Sequence, residues 1–488
     1  MPQTTAHYDV IIIGAGLGGL SCGALLAEAG RRVVVLDKNK RPGGYAVSHT
    51  VQGHRFDIAV QAIGGCGADG PVFKLLQDVH IENSVRFLPC EPARTYYTKN
   101  YDEPWQQAGS WQDIVHNLCE RFPDCRESIA ACYRIWSGIL QELMALAGHG
   151  SAGAAFEFVR SSPLLSRYGS YTVQEFLDEQ RVPDELKRLL AARAGYCMLP
   201  PQRLSLVGFA CTEMTYSAGA WLIEGGIQRL SEALAGAIQS RGGSVMRKTR
   251  ASAIMTENGR IKAVRTADSR VYEGSCAVVA SAVRPAFEQL LDKPGLLPGR
   301  YAKKLAAMEQ TGSYYISYYS VPADAAAGLP PNSEIEQDLG PISETWSPDV
   351  YYMLIPSMVD ASAAPPGLHC LCLSLPCPAG YVLGGEGRRR CRSLLEQAVS
   401  SRFPQLEGRM TRLLELGPEQ LAAMSGNPAG AAYGWAQIPE QSGIKRLNIK
   451  TPIPGLYLAG HWTMPGGGIA GVITSGRLCA QAVLKNRT

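Results

Sequence analysis

An unbroken apolar run at positions 10–13 leads straight into a glycine cluster, and so short a run bounded by glycine predicts a buried strand. Small residues at helical spacing follow from Leu17 to about Gly30, and a second strand, apolar at 33–36, is read over 32–37. Strand, helix and strand in that order predict a βαβ unit in a parallel sheet. Residues 39–65 read as a loop-rich continuation. From about 90 to 220 the pattern turns helical, as in YTVQEFLDEQRVPDELKRLLAARAG at 171–195. A loop, a helix and a strand are expected over 221–245. A β-meander is expected over 244–274, with Asn258-Gly259 in its hairpin turn, and a further buried strand in CAVVASA at 276–282. Alternating, tyrosine-rich strands fill about 300–380, and a helix with arginines near its start covers 388–403. The final block from Gly455 reads strand, glycine loop, helix.

Length adds that 488 residues exceed one ordinary core, so two domains or more are expected. A hydrophobic content of 46% with 52 glycines suits a globular protein rich in close backbone approaches. The net charge of +4 and the lack of a recognition motif argue against a nucleic-acid partner. The N-terminal stretch lacks the basic segment and cleavage site of a signal peptide, and no apolar run approaches the ~18–20 residues that span a bilayer. Fourteen scattered cysteines without a CxxC pair read as reduced thiols of a cytoplasmic protein. In LHCLCLSLPC at 368–377, strand geometry puts Cys370 and Cys372 on one face and His369 on the other, so no metal site is expected.

The chemistry begins at Gly14, Gly16 and Gly19, a G-x-G-x-x-G between the first strand and its helix. The first glycine makes the turn, the second admits a pyrophosphate, and the third lets helix and strand pack closely. The helix N-terminus at Leu17 and Gly18 then offers free N–H groups to phosphate. Asp37 closes the second strand, where a carboxylate accepts from an adenosine ribose. This is a dinucleotide site. Gly43 and Gly44, just beyond it, suit FAD better than NAD, because a long ribityl arm needs further backbone contacts.

Together with these blocks, FDIAVQAIGG, LIEGGIQRL and GLYLAGHWTMPGGGIAGVITSG resemble the phytoene desaturase, carotenoid isomerase and retinol saturase superfamily, FAD flavoproteins related to amine oxidases. The resemblance runs in order along the whole chain. It implies an α/β plus α+β architecture, with a Rossmann-like FAD-binding domain (1–90, 221–290 and 425–488) and a substrate domain (91–220, helical, and 291–424, sheet and helix). It also implies that 14–19 hold the pyrophosphate, Asp37 and Lys38 the ribose side, and Arg41, Gly43 and Gly44 the ribityl and flavin side. Val245 is placed at the adenine edge. Gly460, His461, Gly468, Ile469 and Ala470 belong to the pyrophosphate-to-pyrimidine side. His461 departs from the Gly-Asp or Gly-Ala of relatives, and either its ring or its backbone N–H serves the cofactor. At 223–226, Ile-Glu-Gly-Gly keeps the family's glycines and loses its proline.

A helix N-terminus near Ile469 is placed to stabilise charge on reduced flavin. Candidate catalytic residues are Glu224, Tyr433 and His461. Tyr315, from SYYISYYS, is a candidate for the substrate pocket with Trp435 and Trp462. Twenty-one tyrosines against ten phenylalanines favour a cavity with some polarity and a smaller molecule bearing a carbonyl, amine or acyl group over a carotene. The expected activity is hydride abstraction from a C–H bond, forming C=C or C=N. Two alternatives are an isomerase or saturase working with reduced FAD, and a flavin-bound protein without turnover. Partners are a small-molecule substrate and an electron acceptor, which is oxygen, a quinone or NAD(P), with no second Rossmann motif visible. Peripheral membrane contact has two candidates, the apolar helix at 134–148 and Arg388, Arg389, Arg390 and Arg392, each of which reads equally as core helix or solvated face.

Overall fold

Five parallel strands carry the nucleotide-binding half, in the order Ser244–Met246, Val33–Leu36, Val10–Ile13, Ala277–Val279 and Leu456–Leu458. They come from three separated stretches of the chain. The computed structural model describes residues 6–99, 101–146, 152–293, 295–343 and 346–486. Positions 147 and 148 of the apolar stretch considered for membrane contact, and positions 1–5 of the N-terminal stretch, lie outside the described residues.

The sheet is apolar on both faces because both are covered. Val10, Ile12, Val33 and Val35 pack with the helices Leu17–Glu28, Gln228–Ser240 and Ile469–Lys485. Ile11, Ile13, Val34 and Leu36 pack on the opposite side with Trp435 and Trp462. Each such fully buried aliphatic chain contributes about 1.5–3 kcal/mol. The first and last helices touch through small residues: a Cβ on Gly476 would lie 2.6 Å from the Gly18 carbonyl oxygen and 2.8 Å from Ser21 Cβ.

A second, seven-stranded sheet runs Thr411–Leu416, Ser313–Pro322, Leu368–Cys377, Val350–Leu354, Asn332–Glu336, Arg94–Tyr97 and Trp105–Gln107. One face carries Tyr315, Tyr319, Leu371 and Leu373 against the helix Gly384–Arg402. The other face, with Ile316, Tyr318, Cys370 and Cys372, packs on Phe56 and Ile58. A helical cluster built from Trp111–Arg121, Arg126–Leu146 and Leu206–Tyr216 has its own core around Trp136 and Phe209.

Several elements differ from the sequence reading. The loop-rich stretch after Asp37 contains a hairpin, Val47–Val51 with His54–Ile58, turned by Gln52 (φ 48°) and Gly53 (φ 77°). Two strands, Arg94–Tyr97 and Trp105–Gln107, interrupt the expected helical region, because their backbone groups complete the edge of the larger sheet. The arginine-bearing helix starts earlier, at Gly384, and the strand expected over 276–282 is shorter, Ala277–Val279. The apolar helix buries Ile129, Cys132, Trp136 and Ile139 in the helical core, so that face is occupied by protein. Arg390 donates to the Pro341 carbonyl and Arg392 pairs with Glu415 at 2.9 Å. Among the described residues, no helix is long and apolar enough to cross a membrane, and no His, Cys, Asp and Glu cluster could hold a metal ion. All fourteen cysteines are free.

Candidate functional site

The glycines of the first turn divide into two kinds. Gly14 has φ +108°, and a Cβ there would lie 2.7 Å from the Ala280 carbonyl oxygen. A Cβ on Gly19 would run into the Gly14 carbonyl oxygen, and one on Gly18 would stand 2.7 Å from Gly460 Cα. These three are demanded by the protein's own packing. Gly16 is different: its φ of −70° and ψ of 167° suit any residue, yet nothing lies within 4 Å of where its Cβ would be. It also starts the helix without a side-chain cap. A bare backbone at an uncapped helix N-terminus, facing open space, fits a pyrophosphate.

The same distinction runs through the rest of the expected cofactor contacts. A Cβ on Gly43 would run into the Ala46 carbonyl, and one on Gly44 (φ +65°) would lie 3.3 Å from Gly16 Cα. Gly460 and Gly468 face open space, as Gly16 does. Asp37 ends its strand buried, accepting the N–H groups of Ala15 and Asn39 at 2.7 Å each. Burial raises its carboxyl pKa, against the pull of those two N–H groups. The residues present therefore fit an extended dinucleotide lying over Gly16, Gly460 and Gly468.

The glycines of the terminal loop are not alike, and beside Gly466 and Gly467 the protein fills the space itself. A Cβ on Gly466 (φ +139°) would run into the Gln437 amide, and one on Gly467 would lie 2.6 Å from Tyr433 Cβ. Only Gly468, leading into the helix at Ile469, is open. Ala470 sits in the first turn of that helix, where its carbonyl accepts the Thr474 hydroxyl.

Gly468 and Ile469 form one wall of a cavity of about 100 Å³. Six tyrosines line it: Tyr196, Tyr216, Tyr314, Tyr318, Tyr352 and Tyr433. Gln61 and Ser374, joined by a 2.8 Å hydrogen bond, add polar groups. The Tyr314 and Tyr433 hydroxyls stand 3.5 Å apart, while Tyr318 and Tyr216 donate to the carbonyls of Asp57 and Ala62. Burial drives the phenol pKa values of Tyr314, Tyr352 and Tyr433 well above the ordinary value. The cavity wall is therefore made of neutral phenols that donate hydrogen bonds. Its carboxylate, Asp57, is committed to the Ser48 hydroxyl at 2.5 Å and the Ile227 N–H at 3.0 Å.

Behind the tyrosines lies a buried ionic layer. Arg193 Nε sits 3.0 Å from Glu213, and the guanidinium stacks 4.9 Å from the Tyr216 ring and 5.6 Å from the Tyr196 ring. Arg94 pairs with Glu334 at 3.2 Å. These paired charges hold the rings in place from outside the cavity.

Of the candidate catalytic and substrate residues, Tyr433 lines the cavity, whereas Tyr315, Trp435, Trp462, Glu224 and His461 do not. Strand alternation turns Tyr315 to the opposite face, where it donates to Glu415, and gives its place to Tyr314. Trp435 and Trp462 are core: their rings meet edge to face at 4.7 Å, and Trp462 Nε1 donates to Asn427 at 2.9 Å. Glu224 lies half-exposed in a separate surface groove, paired with Arg86 at 3.0 Å. His461 is half-buried, with Nε2 3.3 Å from Asn427 Oδ1. Burial and then the nearby Arg446 push its pKa down to about 3, so the ring is neutral. Arg41 donates to the Ser48 carbonyl, Lys38 to that of Ala423, and Val245 pairs with Val35 in the sheet. Sequence reasoning missed Tyr196, Tyr216, Tyr314, Tyr318 and Tyr352, since nothing in one-dimensional spacing brings them together.

The model of the family described as flavin-containing amine oxidoreductase matches residues 17–484. A lycopene-forming phytoene desaturase from Paracoccus sp. is 23% identical over 504 residues, covering 99% of both chains. A chloroplastic prolycopene isomerase from Arabidopsis thaliana is 24% identical over 521 residues, covering 98% of this chain and 82% of that one. Among solved structures, putrescine oxidase bound to putrescine superposes with a TM-score of 0.66 at 15% identity, covering 99% of this chain and all of the other (100%). An oxidoreductase from Methanosarcina mazei superposes with a TM-score of 0.65 at 19% identity, covering 98% and 100%.

Proposed function

Because the chain belongs to the flavin-containing amine oxidoreductase family and is an FAD-dependent oxidoreductase of its phytoene desaturase-like branch, we propose that it oxidises a compact, semi-polar molecule at a C–H bond. The observation that carries this reading is the small tyrosine-lined cavity beside Gly468 and Ile469. Its volume of about 100 Å³ lies well below the ~300–1,000 Å³ that encloses a drug-sized ligand. That volume favours a compact substrate over a long polyene.

Bound FAD supplies a two-electron acceptor for hydride. Gly16, Gly460 and Gly468 would hold it by backbone, with Asp37 at the ribose. The protein's own contribution in the cavity is binding and orientation. Neutral phenols at Tyr314 and Tyr433 are donors for a carbonyl, hydroxyl or amine nitrogen on the substrate. The tyrosine rings of the wall limit the water that reaches a substrate packed against them. The carboxyl group among the lining residues, Asp57, is already engaged by Ser48 and Ile227, which suits loss of hydride from a carbon whose cation is delocalised by a neighbouring double bond or heteroatom. The proton that leaves with formation of C=C, C=N or C=O is then the substrate's to release, and the electrons pass on to an acceptor such as oxygen, a quinone or a nicotinamide nucleotide.

Anaerobic mixing of the FAD-loaded protein with a panel of compact allylic alcohols, amines and acyl compounds tests the reading. Bleaching of the flavin band by members of the panel, and none by solubilised C40 polyenes, is the expected outcome. The reverse pattern sinks it. An isomerase reading, favoured by the likeness to prolycopene isomerases, requires product to form catalytically with no electron acceptor present.

A further inference from the structure

Arg446 is fully buried, yet no carboxylate pairs with it among the described residues. Its guanidinium is spent on neutral acceptors: the carbonyls of His461 at 2.7 Å, Trp435 at 3.0 Å and Thr463 at 3.0 Å, and the Gln437 side chain at 3.4 Å. Burial pushes its pKa down to about 9, which leaves it charged at neutral pH. A second cation, Arg284, stacks 5.2 Å from the Trp435 ring and has its hydrogen bonds to the carbonyls of Leu305, Ala306 and Met308. Buried charges are ordinarily paired, because desolvation is costly. The other deeply buried arginines of this chain obey that rule, Arg94 through Glu334 and Arg193 through Glu213.

The location of the exception is specific. Arg446 Cζ lies 3.6 Å from where a Cβ on Gly466 would stand, directly behind the terminal glycine loop. Gly467 abuts Tyr433, and Gly468 faces the tyrosine cavity, so this is the redox end of the loop. The pyrophosphate end, marked by Gly460 against Gly18, is the other one.

From this geometry we infer that Arg446 is a fixed countercharge for reduced flavin: an unpaired guanidinium locked behind the glycine loop, which favours the two-electron-reduced cofactor over the oxidised one. The inference rests on the reading that residues 466–469 lie beside the flavin ring. Reduction puts negative charge on the pyrimidine side of the ring, and a buried cation acts on it with little screening. Arg446 touches loop carbonyls rather than the ring, so it is a positioning residue acting through its charge.

The test is equilibrium redox titration of the FAD-loaded protein against a reference dye. In Arg446→Gln the ratio of reduced to oxidised flavin at a fixed poise should fall at least tenfold, about 30 mV for a two-electron couple. Arg446→Lys keeps the charge with fewer donors, and should stay within about threefold of wild type while melting at a lower temperature. An Arg446→Gln protein that holds FAD and titrates as wild type overturns the inference. Weakened FAD affinity with an unchanged ratio also overturns it, since the charge would then serve the diphosphate. Should Arg446→Gln not fold, sulfite decides, because it adds to oxidised flavin where negative charge on the ring is stabilised. Saturable bleaching of wild-type flavin by sulfite supports the inference, and absence of bleaching overturns it. Ile469→Trp checks the underlying placement separately: unchanged flavin absorbance and fluorescence would remove the ring from this loop, and the inference with it, without touching the family assignment.

Discussion

The glycine turn after the first strand and the tyrosine cavity are built on opposite principles. At the turn, recognition is made by what is missing, a Cβ at Gly16, and the surrounding glycines are fixed by backbone contacts within the protein. At the cavity, recognition is made by bulk, six rings of which two, Tyr196 and Tyr216, are backed by the buried Arg193–Glu213 pair. The turn is therefore vulnerable to addition and the cavity to removal. A cofactor shared by many reactions is gripped by backbone, while a particular substrate is sorted by side chains.

The largest effect expected from breaking this contrast is at the support layer. Glu213→Ala leaves Arg193 charged and buried, and also strips the Tyr133 and Ser217 hydroxyls of their acceptor. A loss of about 3–5 kcal/mol is expected, read as a fall in denaturation midpoint with FAD still bound in the folded fraction. Gly16→Val comes next. Its backbone tolerates valine and its Cβ meets nothing, so the deflavinated protein should melt like deflavinated wild type. FAD affinity should nevertheless drop by a hundredfold or more, about 2.7 kcal/mol, by fluorescence titration. Retention of FAD would mean that the turn does not cradle the pyrophosphate.

His461 sharpens the picture through pH. The unfolded imidazole takes up a proton near pH 6.5, whereas the folded one does so only near pH 3. Its contribution to stability is therefore complete above about pH 6.5 and is lost as pH falls toward 3. By pH 5 the loss is about 2 kcal/mol. Wild type should lose that much more thermal stability than His461→Asn between pH 7 and 5, and equal losses would contradict a buried neutral ring. The smallest effect is at the cavity wall. Tyr433→Phe removes one donor and leaves the ring, so kcat/KM for the oxidised substrate should fall about tenfold, ~1.4 kcal/mol, with FAD affinity and melting temperature unchanged.

What could be read from the sequence follows the same division. The turn was legible because its chemistry is local: a strand, Gly14, Gly16, Gly19 and Asp37 lie within one βαβ unit. The terminal loop reads in sequence as a cofactor contact with three like glycines, and of Gly466, Gly467 and Gly468 the last alone proves open. The cavity was not legible, because its tyrosines come from five distant segments. Alternation in SYYISYYS announced two faces, but which one meets the cavity depends on where the helix Gly384–Arg402 packs, and that put Tyr314 where Tyr315 was expected. Trp435 and Trp462 suited a pocket by size alone, and their burial against the parallel sheet was decided elsewhere. Arg446, within GIKRLNI, looks like any surface arginine until its neighbours are folded around it. The hairpin at Gln52-Gly53 did carry a signal, a glycine between two alternating runs, that passed as loop.

The order of strands in the parallel sheet has a consequence for how the molecule comes into being. Ala277–Val279 pairs on one side with Val10–Ile13 and on the other with Leu456–Leu458, near the far end of the chain. While the polypeptide emerges from the ribosome, this apolar edge stands open until residues 456–458 follow, as a template for pairing with another chain. Gly18 meanwhile waits for Gly460, which comes close against it in the folded chain. Emergence of residues 456–460 thus closes the aggregation-prone edge and brings Gly460 to Gly18 together, so a ligand captured by the folded form at that moment would draw folding forward by mass action.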